Sequence, residues 1–352
     1  MTGYRSICAR MAVGGRAIAA AALLAWGSGA QATTWQDSYT GLAVIGDSYG
    51  DTGNAARGGG RAVLNPLYYF EKRFSDGPVY SDYLATPFRD AGKPVEVVAF
   101  GGATVETVRT NRSRDLDQQL WSLRRLGDAL GARPLVVALL GANDIGRAAA
   151  AGDTGGLGDQ ALRLVRRLTG LARDGYGDIV VMTAPDLSVA PIYDPRFTDP
   201  GFAARAAPLV AEGTTVFNDA LRAALAALAG DPQITLVDTN ALFADFLAAP
   251  ETYGLSELEL PCLFRNATQA ASFGQTSGRF CTPEEAAARL WMDVIHPTTV
   301  AHGFIAGQVE GALAPNARAP AAVQIAPVPL PAAGLLLLAA LAGLGGLARA
   351  RG

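Results

Sequence analysis

The sequence contains two histidines, and His296 stands three residues after an aspartate in Asp293-Val294-Ile295-His296-Pro297. One local turn can hold that carboxylate against the imidazole, which supplies a general base together with the group that fixes its tautomer. Such a base activates a hydroxyl. A suitable one lies at the other end of the chain, in Gly46-Asp47-Ser48-Tyr49-Gly50-Asp51-Thr52-Gly53-Asn54. The segment follows an apolar, strand-like run at 42–45, so Ser48 sits at a strand end among turn-permissive residues. A serine hydroxyl is a weak nucleophile at neutral pH, and a neighbouring base is what makes it attack a carbonyl. Asp186 is held in reserve as the orienting acid. His302 falls in the helix expected after His296 and reads as a packed or capping side chain.

Attack of a serine on an ester passes through a tetrahedral oxyanion, which must meet hydrogen-bond donors already in place. Three candidates are available: the backbone N–H of Ser48, the backbone N–H of Gly102, and the side-chain amide of Asn143. Gly102 lacks a Cβ, so its amide can approach a ligand closely.

The elements that must position these groups follow a βα alternation. Short β-branched runs at 42–45, 95–100, 135–140, 179–183 and 234–237 alternate with helical spacing at 116–130, 157–173, 208–229 and 283–291. That pattern predicts an α/β protein with a parallel sheet wrapped by helices. In such sheets the site forms beyond the C-terminal ends of the strands. Strand one leads into Gly46-Asp47-Ser48, strand two into Gly101-Gly102-Ala103-Thr104, strand three into Gly141-Ala142-Asn143-Asp144 and strand four into Ala184-Pro185-Asp186. Asp144 is read as a helix cap. Tyr68, Tyr69, Phe70, Phe74, Tyr80 and Tyr83 form an aromatic group that could belong to the core or line an acyl site.

Together, Gly46-Asp47-Ser48 with Asp51 to Asn54, Gly102, Gly141-x-Asn143-Asp144 and Asp293-x-x-His296-Pro297 resemble the blocks of the SGNH, or GDSL-type, lipases and esterases, in the family's order. Arg73-Phe74-Ser75-Asp76-Gly77-Pro78-Val79-Tyr80 is similar to a further segment of that family. The resemblance spans residues 40–312. It implies a flavodoxin-like three-layer α/β/α sandwich, Ser48 as nucleophile, His296 as base and acid, Asp293 as its orienting residue, and Ser48, Gly102 and Asn143 as oxyanion donors. Tyr49-Gly50 stands where Leu-Ser is common in the family, a departure that bears on the acyl pocket. Gly46-Asp47-Ser48-Tyr49-Gly50 also satisfies the G-x-S-x-G elbow of α/β-hydrolases. That elbow follows several strands, however, whereas Ser48 follows the first.

The chain ends point to export. Residues 1–32 carry Arg5, Arg10 and Arg16, no acidic residue, an apolar run and Ala30-Gln31-Ala32, which reads as a secretory signal peptide. An Ala/Pro-rich linker at 314–331 precedes a tail at 332–352, in which residues 332–348 are uncharged and Arg349 and Arg351 follow. Val328-Pro329-Leu330-Pro331-Ala332 and this tail resemble the PEP-CTERM sorting signals of the VPLPA variant, which implies a sorting transpeptidase as partner. A plain membrane anchor is the alternative. The expected catalytic domain is 33–313. Without residues 1–32 and 332–352 the chain keeps 24 basic and 32 acidic residues, a net charge of −8, and no basic patch suited to nucleic acid.

Cys8 leaves with the signal peptide, and the remaining pair, Cys262 and Cys281, is expected to form a disulfide. No metal cluster or phosphate-cradling loop is apparent, so no cofactor is expected. Gly58-Gly59-Gly60 reads as a loop, and Asn266-Ala267-Thr268 matches a glycosylation triplet to which no role is given. The expected function is hydrolysis of carboxylic esters, with lipids or acylated glycans as the substrate class. Acyl transfer to an alcohol shares the acyl-enzyme, and a silent surface protein binding a lipid or glycan is the reading from another class.

Overall fold

The structure is a computed structural model that describes residues 35–57, 69–107, 114–228, 234–263 and 281–314. The expected signal peptide, the linker beyond Ala314, the sorting tail, Tyr68, Gly58-Gly59-Gly60 and Asn266-Ala267-Thr268 lie outside them. Among the described residues no helix is long and apolar enough to cross a membrane.

Five parallel strands, β1 (Gly41–Gly46), β2 (Val95–Val97), β3 (Pro134–Leu139), β4 (Asp178–Met182) and β5 (Ile234–Val237), lie in the order β2-β1-β3-β4-β5. This is the flavodoxin-like order, whose switch point falls between β1 and β3. Every residue of β1 and β3 is buried, because helices cover both faces. Such strands read as continuous apolar runs, which is why they stand out in the sequence.

The first helices are α1 (Asn54–Arg57), α2 (Tyr80–Asp90), α3 (Leu116–Arg124), α4 (Ala142–Ala151) and α5 (Leu157–Arg173). They are followed by α6 (Pro200–Ala226), α7 (Thr239–Ala248), α8 (Pro283–Ala287) and α9 (Thr299–Leu313). The packing partners sort these into layers: α2 and α9 pack together on one face, with α7 beside α9, while α3, α5, α6 and α4 pack in turn on the other. The result is a three-layer α/β/α sandwich.

Four elements differ from their sequence expectation. The strand at 95–100 stops at Val97, although Val98 and Ala99 still donate to Val44 O and Phe100 to Gly46 O. The helix expected at 116–130 breaks after Arg124 into a 3-10 turn, Gly127–Leu130. The helix expected from Pro208 begins at Pro200 instead. Asp199 caps it through the Phe202 N–H at 2.7 Å, and Pro200 occupies the first turn, where no N–H is needed. Pro208 forfeits one intrahelical bond, but Ala203, Ala206 and Val210 bury the flanking turns and carry the helix through it. Finally, the helix expected at 283–291 ends at Ala287, because Ala288 and Leu290 pair with Ser256 and Glu257.

The expected disulfide is present, joining Cys262 to Cys281 with a Cα–Cα distance of 5.0 Å across a sequence separation of 19. Closing a loop of that length restricts the unfolded chain by about 3 kcal/mol. Cys262→Ser with Cys281→Ser is therefore expected to lower the unfolding free energy by about that amount, read as a shift of the urea midpoint.

Candidate active site

Beyond β1 the chain turns at once. Gly50 N–H donates to Asp47 O at 3.2 Å, closing a turn with Ser48 at its second position, and Tyr49 N–H donates to Asp47 Oδ1 at 3.0 Å. Ser48 is 8 % exposed, so the hydroxyl is sheltered but reachable. Burial raises the Asp47 carboxyl to about 7, with the Tyr49 N–H and the nearby His296 opposing the rise. From the far side, Gln119 of α3 clamps Gly46: its Oε1 accepts the Gly46 N–H at 2.9 Å and its Nε2 donates to Gly46 O at 2.7 Å.

His296 reaches this serine from a tight reversal near the C-terminus. An antiparallel bridge, Trp291 with Pro297, and the Met292 N–H to His296 O bond at 2.8 Å close a short loop around Asp293 and His296. His296 Nε2 lies 2.9 Å from Ser48 Oγ. On the other edge, Nδ1 lies 2.8 Å from Asp293 Oδ2 and 3.0 Å from Oδ1. Oδ1 also accepts the N–H groups of Ile295 at 2.9 Å and His296 at 2.8 Å. Burial alone would raise the Asp293 carboxyl, but the facing His296 and these donors hold it below the usual carboxylate range.

The loops after β2 and β3 are tied to the same turn. Asp51 accepts the N–H groups of Gly53, Asn54 and Ala55, and its Oδ2 also accepts Gly101 N–H at 2.7 Å, which fastens the Ser48 loop to Gly101-Gly102. Asn143, in the first turn of α4, donates from Nδ2 to Ala103 O at 2.9 Å. Gly141, before that helix, has φ +127°, a conformation open to glycine, and a Cβ there would meet the Phe217 ring at 2.7 Å. Ser48, Asp293 and His296 are thus joined by direct hydrogen bonds, while the Gly102 loop is bonded both to Asn143 at the start of α4 and to the nucleophile turn.

A serine hydroxyl bonded to an imidazole whose second nitrogen faces a buried carboxylate is an arrangement for acyl transfer. Residues 44–258, more than half of the chain, match the GDSL-like lipase/acylhydrolase family. The chain belongs to this family. A thermolabile hemolysin from Vibrio parahaemolyticus is 27% identical over 276 residues, covering 77% of this chain and 63% of that protein. The chain therefore spans less than two thirds of that relative. Among solved structures, an acetylxylan esterase from Geobacillus stearothermophilus is 17% identical with a TM-score of 0.40, covering 80% of this chain and 97% of its own. A catalytic mutant of the same esterase gives 16% and 0.41, with the same coverage.

The remaining candidates separate by their contacts. Asp144 lies in the first turn of α4, behind Gly141 at the N-cap position, and its carboxylate reaches across to accept Val105 N–H at 2.9 Å and Glu106 N–H at 3.2 Å. Burial, opposed by those N–H groups, raises it to about 6. Asp186 accepts the Ser188 N–H at 2.9 Å in a local turn, while the acid hydrogen-bonded to His296 is Asp293. His302 is fully buried, with its ring 5.7 Å from Tyr49, and burial pushes it down to about 3, as expected of a packed neutral ring.

The aromatic group divides. Tyr80 is core, and Tyr83 Oη meets Thr299 Oγ1 at 2.8 Å. The Phe74 ring, by contrast, lies 4.9 Å from the His296 ring and rests on Gly101. A Cβ at Gly101 would lie 2.4 Å from Phe74 Cζ. Gly101→Ala is therefore expected to displace that ring or the Gly101-Gly102 loop, destabilising the fold by about 1–3 kcal/mol, with kcat falling more than KM rises in an ester assay. Gln119 and Tyr69 had no local signal, since their partners lie 73 and 224 residues away in sequence.

Proposed function

We propose that this acylhydrolase cleaves carboxylic esters through an acyl-enzyme on Ser48. The observation that carries the reading is the chain Ser48 Oγ, His296 Nε2, His296 Nδ1, Asp293 Oδ2, with 2.9 Å and 2.8 Å between partners. His296 takes the Ser48 proton as Oγ attacks the ester carbon, and Asp293 stabilises the imidazolium that results. The oxyanion is met by the N–H of Ser48, the N–H of Gly102 and the amide of Asn143. His296 then gives its proton to the leaving alkoxide, which departs as the alcohol. In the second half water attacks the acyl-Ser48 carbonyl, His296 takes a water proton, and collapse returns that proton to Ser48 and releases the acid.

Export belongs to the same proposal. The residue pattern of 1–32, the VPLPA tail and the Cys262–Cys281 bond support a protein carried out of the cytoplasm and presented to a sorting transpeptidase. The deciding experiment treats the full chain with a fluorophosphonate and maps the adduct. Label on Ser48, with turnover of p-nitrophenyl esters, supports the reading; folded protein that neither labels nor turns over ester sinks it. The hemolysin relative makes lysis of erythrocytes an assay to run beside the synthetic esters.

A further inference from the structure

Tyr69 precedes the Arg73–Tyr80 segment and lies 224 residues from Asp293 in sequence, yet its phenol donates to Asp293 Oδ2 at 2.9 Å. That oxygen is the one closest to His296 Nδ1. The other carboxylate oxygen is occupied by the backbone N–H groups of Ile295 and His296. Tyr69 therefore shares its acceptor with the imidazole, whereas the backbone donors hold the loop.

The ring has its own support. It packs against a small cluster of Cys262, Ala286 and Met292, with Leu263 and Cys281 alongside. Within it, Cys262 N–H donates to Trp291 O at 3.0 Å and Leu263 N–H to Met292 O at 2.8 Å, so the disulfide-bonded segment runs beside the stretch that ends at Asp293. Burial, the Asp293 charge and the bond to it all raise the Tyr69 phenol, so the hydroxyl keeps its proton and stays a donor.

We infer that Tyr69 is a positioning residue for this site, anchored on the disulfide cluster and setting how strongly Asp293 pulls on His296. The inference rests on the ester-hydrolase reading for its kinetic arm only. A carboxylate that accepts a second charge-assisted bond has less electron density to offer the imidazole. The other ionisable groups around the pair are Tyr49, which faces Asp293 but donates its Oη to Ile295 O at 2.9 Å, and Asp47 and His302, which face His296. Among the described residues, Tyr69 and His296 are the side chains hydrogen-bonded to the Asp293 carboxylate.

Tyr69→Phe removes one oxygen and keeps the ring on its cluster. In the full chain it is expected to lower kcat by about 10-fold with little change in KM. The acid limb of the kcat/KM profile should move to higher pH, because Asp293, freed of the phenol, holds a proton on His296 more strongly. The downfield proton resonance of the His296 Nδ1–H should move further downfield for the same reason. A merely structural tyrosine would change stability and leave the acid limb and that resonance in place. Full activity with an unmoved acid limb and an unmoved resonance overturns the inference. A moved resonance in a chain that hydrolyses no ester even as wild type would leave the inference standing and sink the hydrolase reading.

Discussion

Ser48→Ala and His296→Ala are each expected to lower kcat on a soluble ester by about 10⁴- to 10⁶-fold, and the double variant to lose about as much as either single one. The non-additivity is the informative part. His296 Nε2 stands 2.9 Å from Ser48 Oγ, and its role is to take that one proton. Without the hydroxyl the imidazole has nothing to activate, and without the imidazole the hydroxyl remains a weak nucleophile. What survives should come from Gly102, Asn143 and the Ser48 N–H acting on carbonyl polarisation, about 10³-fold over water. Ser48→Ala is a small loss in packing terms and should melt near the wild type, whereas His296→Ala leaves the buried Asp293 carboxylate without its facing imidazole and should melt lower. Burst kinetics with p-nitrophenyl butyrate would check the assignment. A His296→Ala chain that still gave a full acylation burst would show that another base serves Ser48.

The parts of this molecule that could be read from its sequence are those whose physics is local. β1 and β3 are buried on both faces and therefore appear as unbroken apolar runs. Asp293 and His296 sit three residues apart, so one turn brings them together whatever the rest of the chain does. That Ser48, Gly102 and Asn143 fall along one edge follows from βα alternation, which gathers the C-terminal ends of parallel strands, whereas the flavodoxin-like arrangement is what the family resemblance implies. Other features depend on distant partners. Asp144 looks like a cap because an aspartate at a helix start usually is one, yet its carboxylate serves Val105 and Glu106 across the site. Gln119 is an ordinary surface-helix residue by type, and only the docking of α3 onto β1 turns it toward Gly46. Pro208 argues locally for a helix start, and the buried stripe through Ala203, Ala206 and Val210 overrides it.

Asp293→Asn is expected to lower kcat by about 10⁴-fold at neutral pH while leaving the fold intact. The asparagine oxygen can still accept the Ile295 and His296 N–H groups, so the loop keeps its shape. Its amide nitrogen, however, presents hydrogens to His296 Nδ1. The imidazole then places its own proton on Nε2, facing Ser48 Oγ, where it can no longer take one. Stability should respond with a definite sign. The Asp293 carboxyl is held below the ordinary range in the folded chain, so its ionised form stabilises the fold above that range, and the contribution is lost as pH falls through the folded value. Urea unfolding of wild type and Asp293→Asn should therefore differ most near neutral pH and converge in acid. Asp186→Asn provides the comparison, because the Asp186 carboxylate accepts the Ser188 N–H in a local turn. If Asp186→Asn abolished turnover while Asp293→Asn retained it, the orienting acid would have to be reassigned, and the Tyr69 bond to Asp293 would lose its bearing on the chemistry.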